Sequence, residues 1–233
     1  MKRLFAACSL AFALIYSGCA THHGMATLDE NTAAKPTKAV YLLSVTLKNT
    51  LIPAYQPKLV SIKVHKLVQS NYPVIQLFET DQQAKNETFT PTTGNTYLLR
   101  FELEPGEYSL LGLNSLGESM FISSPFFTPV QGRISASKPG IYYLGHIEVN
   151  IRERKGDEFH AGGILPTQEQ RLTGGFGGTF DVEITDQWAT DEEKFQTRFP
   201  ALTKATVQKS VLSPFNRARA QAWWMLNNFT EVP

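Results

Sequence analysis

Apolar and polar residues alternate in many short runs between Ala39 and Thr185, and this alternation constrains the fold more than any other feature of the chain. Neighbouring residues of a β-strand point to opposite faces, so a period of two predicts strands with one buried and one solvated face, as in antiparallel sheets. The clearest runs are Val60–His65, Tyr97–Glu104, His146–Arg152 and Phe180–Thr185. Further strands are predicted at Ala39–Lys48, Val74–Glu79, Glu107–Asn114 and Phe126–Gln131.

Turn signals separate these runs. Pro105-Gly106 lies between two predicted strands, and Lys138-Pro139-Gly140 precedes a third. About eight short strands with such punctuation predict an antiparallel β-sandwich over residues 39–185. The positions expected to be buried are Phe101, Leu103, Ile147, Val149, Val182 and Ile184, and those expected on solvated faces are His65, His146 and Glu183.

The pattern becomes helical in residues 186–233. Thr190-x-x-Glu193 has the form of a capping box and predicts a helix that ends before Pro200. Ser213-Pro214 has the form of a second helix start, with Ser as N-cap and Pro at the first helical position, and leads into Phe215–Phe229. This part of the chain is therefore predicted to be a short helical appendage.

Charge and composition exclude several classes of protein. The 233 residues include 22 Lys and Arg against 21 Asp and Glu, so the sequence lacks the basic excess of a dedicated nucleic-acid binder. A hydrophobic content of 42% excludes wholesale disorder. Two cysteines are too few for a disulfide scaffold or a zinc site with four Cys ligands, and no motif predicts a cofactor.

The N-terminus has the features of a secretion signal. Lys2 and Arg3 precede an uncharged run, Leu4–Tyr16, which is shorter than the ~20 apolar residues that a membrane-spanning helix needs. The run Tyr16-Ser17-Gly18-Cys19 resembles the lipobox of bacterial lipoproteins. That resemblance implies removal of residues 1–18 and acylation of Cys19; the alternative is an ordinary signal peptide that leaves Cys19 as a free thiol.

The resemblance also implies a location. Ala20, rather than Asp, follows Cys19, which in lipoproteins of bacteria with two membranes implies sorting to the outer membrane, with the chain facing the periplasm. Residues 19–38 are polar and lack an apolar period, so we expect a flexible tether. Within it, His22 and His23 are expected to be a solvated pair, because two adjacent His supply too few ligands for a defined metal site.

Three further motifs resemble a known family. The run Arg100–Tyr108 resembles the strand, Pro-Gly turn and strand of prealbumin-like and carboxypeptidase-regulatory-like β-sandwiches. Ile141–Val149 resembles a strand of bacterial lipoproteins of uncharacterised function that carry such a sandwich. Asp186, Asp191 and the run Phe199–Leu202 resemble the short acidic helix that follows it. The resemblance implies a prealbumin-like fold and an envelope location, but no reaction.

Catalytic and metal-binding motifs are sparse. The sequence contains neither G-x-S-x-G nor H-E-x-x-H, and acylation of Cys19 would leave no thiol nucleophile. His146 and Glu148 share one strand face, and the segment Arg154–Ala161 could fold back to add Asp157 and His160 as metal ligands. The simpler interpretation is a solvated strand face followed by a charged loop.

The Gly-rich segment Phe159–Phe180 does not match a phosphate cradle, because its glycines lead into a strand and no Lys follows them. A long mobile loop is the preferred interpretation. Loops of this length are often functional, so a role in partner binding stays open.

The last predicted helix carries two adjacent Trp residues. At 100° per residue, one apolar stripe is expected to pack on the sandwich, formed by Phe215, Ala218, Ala222, Met225, Leu226 and Phe229. Trp223 lies at the edge of this stripe, whereas Trp224 is placed on the opposite, polar side. An exposed Trp suggests a partner or membrane contact; the alternative is that a loop folds over Trp224.

Together these observations predict a non-catalytic binding or interaction module, anchored in the outer membrane through Cys19, whose partner is an envelope protein or envelope component. The alternative function is a lipid-anchored hydrolase or metal-dependent enzyme centred on His146, Asp157 and His160.

Overall fold

Two packed β-sheets make up most of the structure, a computed structural model that describes residues 20–31, 36–67, 73–90, 93–119, 121–136, 138–163 and 167–229. The strands are β1 Thr21–His23, β2 Ala39–Asn49, β3 Pro57–Lys66, β4 Val74–Glu79, β5 Lys85–Thr90, β6 Gly94–Leu103, β7 Gly106–Ser119, β8 Ile122–Ala136, β9 Gly140–Glu153, β10 Gly178–Thr185 and β11 Val207–Lys209. Sheet A has the order β1-β4-β3-β7-β8. Sheet B has the order β10-β9-β2-β6-β5, and β11 pairs with β9.

The predicted strands are all present, and most are longer than expected. The alternation missed three strands, β1, β5 and β11, of which β1 and β11 have only three residues each. Such short strands are held by pairing with a neighbour and carry too few residues to show a period.

Both sheets are mixed, which corrects the expectation of a wholly antiparallel sandwich. β2 runs parallel to β9, β11 also runs parallel to β9, and β1 runs parallel to β4. Alternation within one strand reports which faces are buried and carries no information about the direction of the neighbouring strand. The run Tyr41-Leu42-Leu43 in β2 was the one local sign of parallel pairing, because continuous apolar runs are typical of parallel strands that are covered on both faces.

Three helical segments follow or interrupt the strands. They are α1 Gln168–Thr173, α2 Trp188–Arg198 and α3 Arg217–Phe229, and a 3₁₀ helix, Pro200–Lys204, follows α2. The prediction that α2 ends before Pro200 is confirmed. Its start was placed too late, because Thr190 lies inside the helix, where its hydroxyl donates to the carbonyl of Gln187.

The main core lies between the sheets, where aromatic residues from different strands meet. The ring of Phe101 stacks on Tyr41 at 5.4 Å and lies 5.2 Å from Phe78 between centroids. Of the residues expected inside, Phe101, Leu103, Ile147, Val149 and Ile184 are buried. Val182 is half-buried and packs against the core.

The residues expected on solvated faces behave differently from one another. Glu183 is exposed, as expected. His65 is half-buried, and His146 is only 5% exposed. The expectation for His146 was wrong because a second layer of structure covers the outer face of sheet B.

That second layer consists of α2 and the 3₁₀ helix. It forms a separate apolar cluster in which Phe195, Phe199 and Leu202 cover the sheet residues Val40, Leu42, Leu98, Ile141 and Tyr143. The guanidinium of Arg100 lies 4.6 Å from the ring centroid of Phe199 and forms an ion pair of 2.5 Å with Asp81. Sheet B is therefore covered on both faces over much of its area.

The start of the described chain also differs from expectation, because residues 20–31 lie on the sandwich rather than forming a flexible tether. β1 pairs with β4, the amide of Ala26 donates to the carbonyl of Arg100 at 2.8 Å, and Met25 and Leu28 pack against the two apolar clusters. The apolar side chains of residues 20–31 are scattered among polar ones without a helical or strand period, so the sequence did not predict that this segment packs on the sandwich.

We expect Phe101→Ala to lower the free energy of unfolding by about 3–5 kcal/mol, because it deletes a fully buried ring and leaves a cavity. The matched control is Glu183→Ala on an exposed strand position, which should stay close to the wild type. Urea unfolding followed by tryptophan fluorescence measures both. Equal destabilisation by the two variants would contradict the placement of the core.

Candidate functional site

Two places in the described residues gather chemically notable side chains: a buried polar cluster under α2, and an aromatic cleft between sheet A and α3. The buried cluster joins Ser44 of β2, Tyr143 and His146 of β9, and Asp191 and Lys194 of α2. Sequence analysis singled out His146 and named Asp191 only as part of a family motif.

A β-bulge in β9 sets the geometry of this cluster. The pairing of β2 with β9 shifts between Leu42 and Ser44, where Gly145 adopts a positive φ of 107°. A Cβ at Gly145 would lie 2.9 Å from the carbonyl oxygen of Thr185, so a larger residue would clash there. The extra residue turns His146 to the outer face of sheet B, beside Ser44.

Asp191 is the centre of the hydrogen bonding. Its Oδ2 atom accepts from the hydroxyl of Ser44 and, at 2.7 Å, from the hydroxyl of Tyr143. Its Oδ1 atom accepts from Lys194 Nζ at 3.0 Å. Ser44 and Asp191 are both fully buried, so this carboxylate is held in the interior by three donors.

The order of the three groups differs from that of a serine hydrolase. In a catalytic triad the imidazole lies between the hydroxyl and the carboxylate. Here the hydroxyl lies between them: Ser44 donates to Asp191, and its oxygen lies 2.8 Å from Nδ1 of His146, which therefore acts as the donor. The arrangement joins α2 to sheet B.

Burial shifts the titration of two members of the cluster. The pKa of Tyr143 is raised, first because the phenol is buried and then because Asp191 accepts its proton in a hydrogen bond. The pKa of His146 is lowered from its usual 6.5, mainly by burial; Asp191 opposes this effect, and Lys194 adds to it. His146 is therefore neutral in the folded protein at neutral pH.

The alternative site of His146, Asp157 and His160 is not assembled. His146 contacts Ser44 and Asp191 under α2. His160 instead stacks on Phe176 and lies against Trp224, and the carbonyl of Asp157 accepts from α3. Among the described residues, no group of three or more His, Cys, Asp or Glu side chains is arranged to hold a metal ion.

The Gly-rich segment is more ordered than a mobile loop in its described parts. It contains α1, which begins at Thr167, whose hydroxyl accepts from the amide of Gln170, and ends at Gly174 with φ 88°. The amide of Gly162 donates to the carbonyl of Gly175 at 2.8 Å. Residues 164–166 of the segment lie outside the described residues.

The aromatic cleft has a volume of about 270 Å³ and is bounded by sheet A, the Gly-rich segment and α3. Its aromatic wall consists of Phe127 and Trp223, whose ring centroids lie 5.1 Å apart, together with Trp224. Asn114 and Gln170 contribute amide groups to the lining. Lys63 Nζ lies 5.9 Å from the centroid of Phe127.

Helix α3 packs through a face that differs from the predicted stripe. Ala220 is fully buried and Trp224 half-buried, whereas Met225 is 46% and Leu226 69% exposed. The contacting face is held by polar groups: Gln221 accepts from the amide of Phe159 at 2.7 Å, and Arg217 pairs with Asp181 at 2.8 Å. The side chain of Phe229, part of the predicted stripe, lies outside the described residues.

The difference between the predicted and the observed packing face of α3 has an identifiable cause. Gln221 satisfies backbone groups of Asp157 and Phe159 in the loop before α1, and Arg217 donates to the carbonyl of Phe180 in β10. Sequence periodicity does not report such bonds. The helix also begins later than Ser213 predicts, because the side chain of Asn216 accepts from the amide of Arg219 at 2.9 Å and caps it. A loop residue, His160, covers Trp224 at 5.4 Å between centroids, as the alternative for that residue expected.

A larger cleft of about 510 Å³ lies beside the N-terminal segment, lined by residues of that segment, β4 and β6. Two of its lining side chains, Lys38 and Glu104, pair with each other at 3.2 Å. One pair of charged groups in the cleft therefore neutralises itself, and Glu102 also contributes to the lining.

The predicted signal peptide, 1–18, and Cys19 lie outside the described residues. Within the described residues, none of the helices combines the length and the apolar character that crossing a membrane requires. No protein-family model, curated protein or solved structure matches this chain.

We expect Asp191→Ala to destabilise the domain by about 3–5 kcal/mol, since it removes the acceptor of three donors in the buried cluster. The control is Asp186→Ala, which removes a surface ion pair with Lys209 and should be close to neutral. Equilibrium unfolding in urea distinguishes them. Similar midpoints for both variants would show that the cluster contributes little to stability.

The lowered pKa of His146 predicts a dependence of stability on pH. Below its usual pKa of 6.5 the unfolded chain binds a proton that the folded chain does not, so the wild type loses stability on acidification until the folded pKa is passed. In His146→Gln this part of the loss should disappear between about pH 7.5 and about pH 5. Thermal melts across that range measure the effect. His160→Gln is the comparison variant, because the pKa of His160 is also lowered. A His146→Gln variant with the full pH dependence of the wild type would contradict the assignment.

Proposed function

We propose that this protein is a lipid-anchored, non-catalytic binding module of the bacterial envelope. The observation that carries the proposal is the aromatic cleft of Phe127, Trp223 and Trp224. Aromatic side chains of this kind are the ones that dominate binding energy at protein interfaces, because they bury a large area at a low cost in side-chain entropy.

The cleft is built on rigid elements. Phe127 belongs to β8, and Trp223 and Trp224 are neighbours on α3. Trp224 is fixed from behind by His160, so the aromatic wall has support that does not depend on a ligand. Pre-organised side chains lose less entropy when they bind, which supports a recognition role.

The exposed apolar side chains of α3 extend the surface. Met225 and Leu226 are both exposed and follow Trp223 and Trp224 directly in the chain. Exposed apolar side chains on the helix that contributes the wall of an aromatic cleft support a protein-binding role. The occupant that fits is a segment of a partner protein that inserts an apolar side chain into the cleft, against the contacting rings of Phe127 and Trp223.

The buried cluster supports a non-catalytic role, because its serine hydroxyl is fully enclosed and donates to a carboxylate. A nucleophile needs a base that accepts its proton and a path for the substrate. The described residues favour a structural role for Ser44, His146 and Asp191.

The location is proposed from the N-terminal sequence alone: acylation of Cys19, retention in the outer membrane and orientation towards the periplasm. A relationship with the prealbumin-like sandwiches is part of the same proposal. It is supported by the two packed sheets and by the turn at Pro105-Gly106, which carries the chain from β6 in sheet B to β7 in sheet A.

A photo-cross-linker tests the cleft. Placed at Met225 of the full-length chain in intact cells, it should give a discrete adduct that disappears when Trp223→Ala is added. The same cross-linker at Val60, which is exposed on β3, is the control. An adduct at Met225 that survives Trp223→Ala, or one identical to that at Val60, would show that the cleft is not the binding site.

Replacement of Cys19 by Ser tests the anchor. The variant should be released from the membrane fraction or accumulate as a precursor, because several acyl chains at ~0.8 kcal/mol per buried CH₂ make anchoring effectively permanent only when Cys19 carries them. Cell fractionation with immunoblotting measures the distribution. A Cys19→Ser variant of mature size in the outer-membrane fraction would contradict lipidation.

A further inference from the structure

A missing side chain on β7 brings the aromatic cleft close to a lysine of β3. A Cβ atom at Gly112 would lie 2.6 Å from the ring of Phe127, so glycine leaves room for that ring to lie over β7. Gly112 pairs directly with Lys63 of β3. Lys63 Nζ lies 5.9 Å from the centroid of the Phe127 ring, which contacts Trp223 at 5.1 Å. The ammonium group of Lys63 therefore lies at the rim of the cleft.

This ammonium group has no counter-ion in the part of the chain that the structure describes. Lys63 is half-buried, and none of the described Asp or Glu side chains forms an ion pair with it. Two carboxylates on the neighbouring strands are engaged elsewhere: Glu79 of β4 lies 2.6 Å from His22, and Glu118 of β7 lies 2.6 Å from Lys58. A half-buried cation that lacks a counter-ion favours an anionic group in whatever binds beside it.

A second cation lies on α3, one helical turn before Trp223. Residues i and i+4 share a helix face, and the later side chain covers the preceding turn, so Arg219 is the neighbour of Trp223 on the helix surface. Arg219 is exposed, and it forms no ion pair with any described carboxylate. Positive charge therefore approaches the contacting rings of Phe127 and Trp223 from the sheet, through Lys63, and from the helix, through Arg219.

The interior of the cleft, in contrast, is uncharged. None of the described residues that line it has an ionisable side chain. Its volume of about 270 Å³ is smaller than the roughly 300–1,000 Å³ of most small-molecule sites, which suits one side chain of a larger partner. The cleft thus offers an apolar contact inside and positive charge at its rim.

We propose that the partner segment that binds this cleft carries an acidic residue close to its apolar anchor. This inference rests on the proposed protein-binding role of the cleft and adds the charge of the partner. The apolar anchor packs against Phe127 and Trp223, and the neighbouring carboxylate pairs with Lys63 and Arg219. Charge complementarity selects this occupant over a neutral or basic segment.

The spacing of the two groups in the partner follows from chain geometry. In an extended segment, residues i and i+2 project to the same face roughly 7 Å apart. In a helical segment, residues i and i+3 or i+4 are about 5–6 Å apart. Both spacings match the 5.9 Å between Lys63 Nζ and the Phe127 ring, so the acidic residue lies within four positions of the anchor.

A selection from phage-displayed random dodecapeptides tests the proposal on the full-length protein in a non-ionic detergent. On the wild type, the enriched peptides should carry an apolar or aromatic residue with Asp or Glu within four positions. Lys63→Glu should remove the acidic preference, and the further change Arg219→Glu should replace it by a preference for Lys or Arg. If Lys63→Glu does not fold, Lys63→Gln serves as the second variant and should weaken the acidic preference.

The matched control is Lys66→Glu, which changes the net charge by the same amount on the same strand. Lys66 Nζ also lies 5.9 Å from an aromatic ring, that of Tyr108, which does not line the cleft. The peptides selected by Lys66→Glu should keep the acidic preference of the wild type. Thermal melts of each variant show that the selections compare folded proteins.

Fluorescence polarisation then measures the ion pair directly. A synthetic copy of the most enriched peptide should bind the wild type about twofold to fivefold more tightly than a copy in which an amide replaces the carboxyl group, as expected for an exposed ion pair. Added salt should reduce this ratio. On Lys63→Glu the ratio should fall towards one.

The outcomes separate the charge of the partner from the cleft as a binding site. Peptides that are lost on Trp223→Ala but show no acidic preference would overturn the inference and leave the cleft as the site. An acidic preference that survives Lys63→Glu combined with Arg219→Glu would also overturn it. A selection that enriches no sequence, or peptides that bind Trp223→Ala as tightly as the wild type, would overturn the proposed function itself.

Discussion

The architecture depends on covering sheet B on both faces. Its inner face packs on sheet A through residues such as Phe101 and Tyr41, and its outer face packs under α2 and the 3₁₀ helix. Apolar burial on two sides stabilises the central strands at about 25 cal/mol per Å². The helical segment that follows the last long strand is therefore part of the domain core rather than an appendage.

This double coverage explains why a polar cluster lies in the interior. Tyr143, His146 and Ser44 lie on the outer face of sheet B, which would be solvated in a simple sandwich. Once α2 covers them, each polar atom needs a partner: Asp191 accepts from Ser44 and Tyr143, and the oxygen of Ser44 is the partner of His146 Nδ1. Because those bonds require one rotation and one height of α2 on the sheet, the cluster also specifies where the helix sits.

The sequence predicted the long strands and the end of α2 well, since alternation and Pro200 are local signals. Burial of His146 could not be predicted, because the element that covers it lies more than forty residues away in the chain. The prediction of the packed face of α3 was wrong for a related reason: Gln221 bonds to the backbone of a distant loop, and Arg217 pairs with Asp181 of β10. Of the site, the pair of tryptophans was visible in the sequence, whereas their neighbour Phe127 looked like any strand residue.

The parallel pairing of β1 with β4 also has a mechanical consequence. A pull on Cys19 away from the sandwich acts along the axis of β1, so the backbone bonds of the pair are loaded together in shear rather than opened one after another. The strand has only three residues, which makes it the weakest part of that load path. Under tension β1 would slide off β4 before the long strands separate, and the freed segment would lengthen the proposed connection to the membrane while the rest of the sandwich stayed folded.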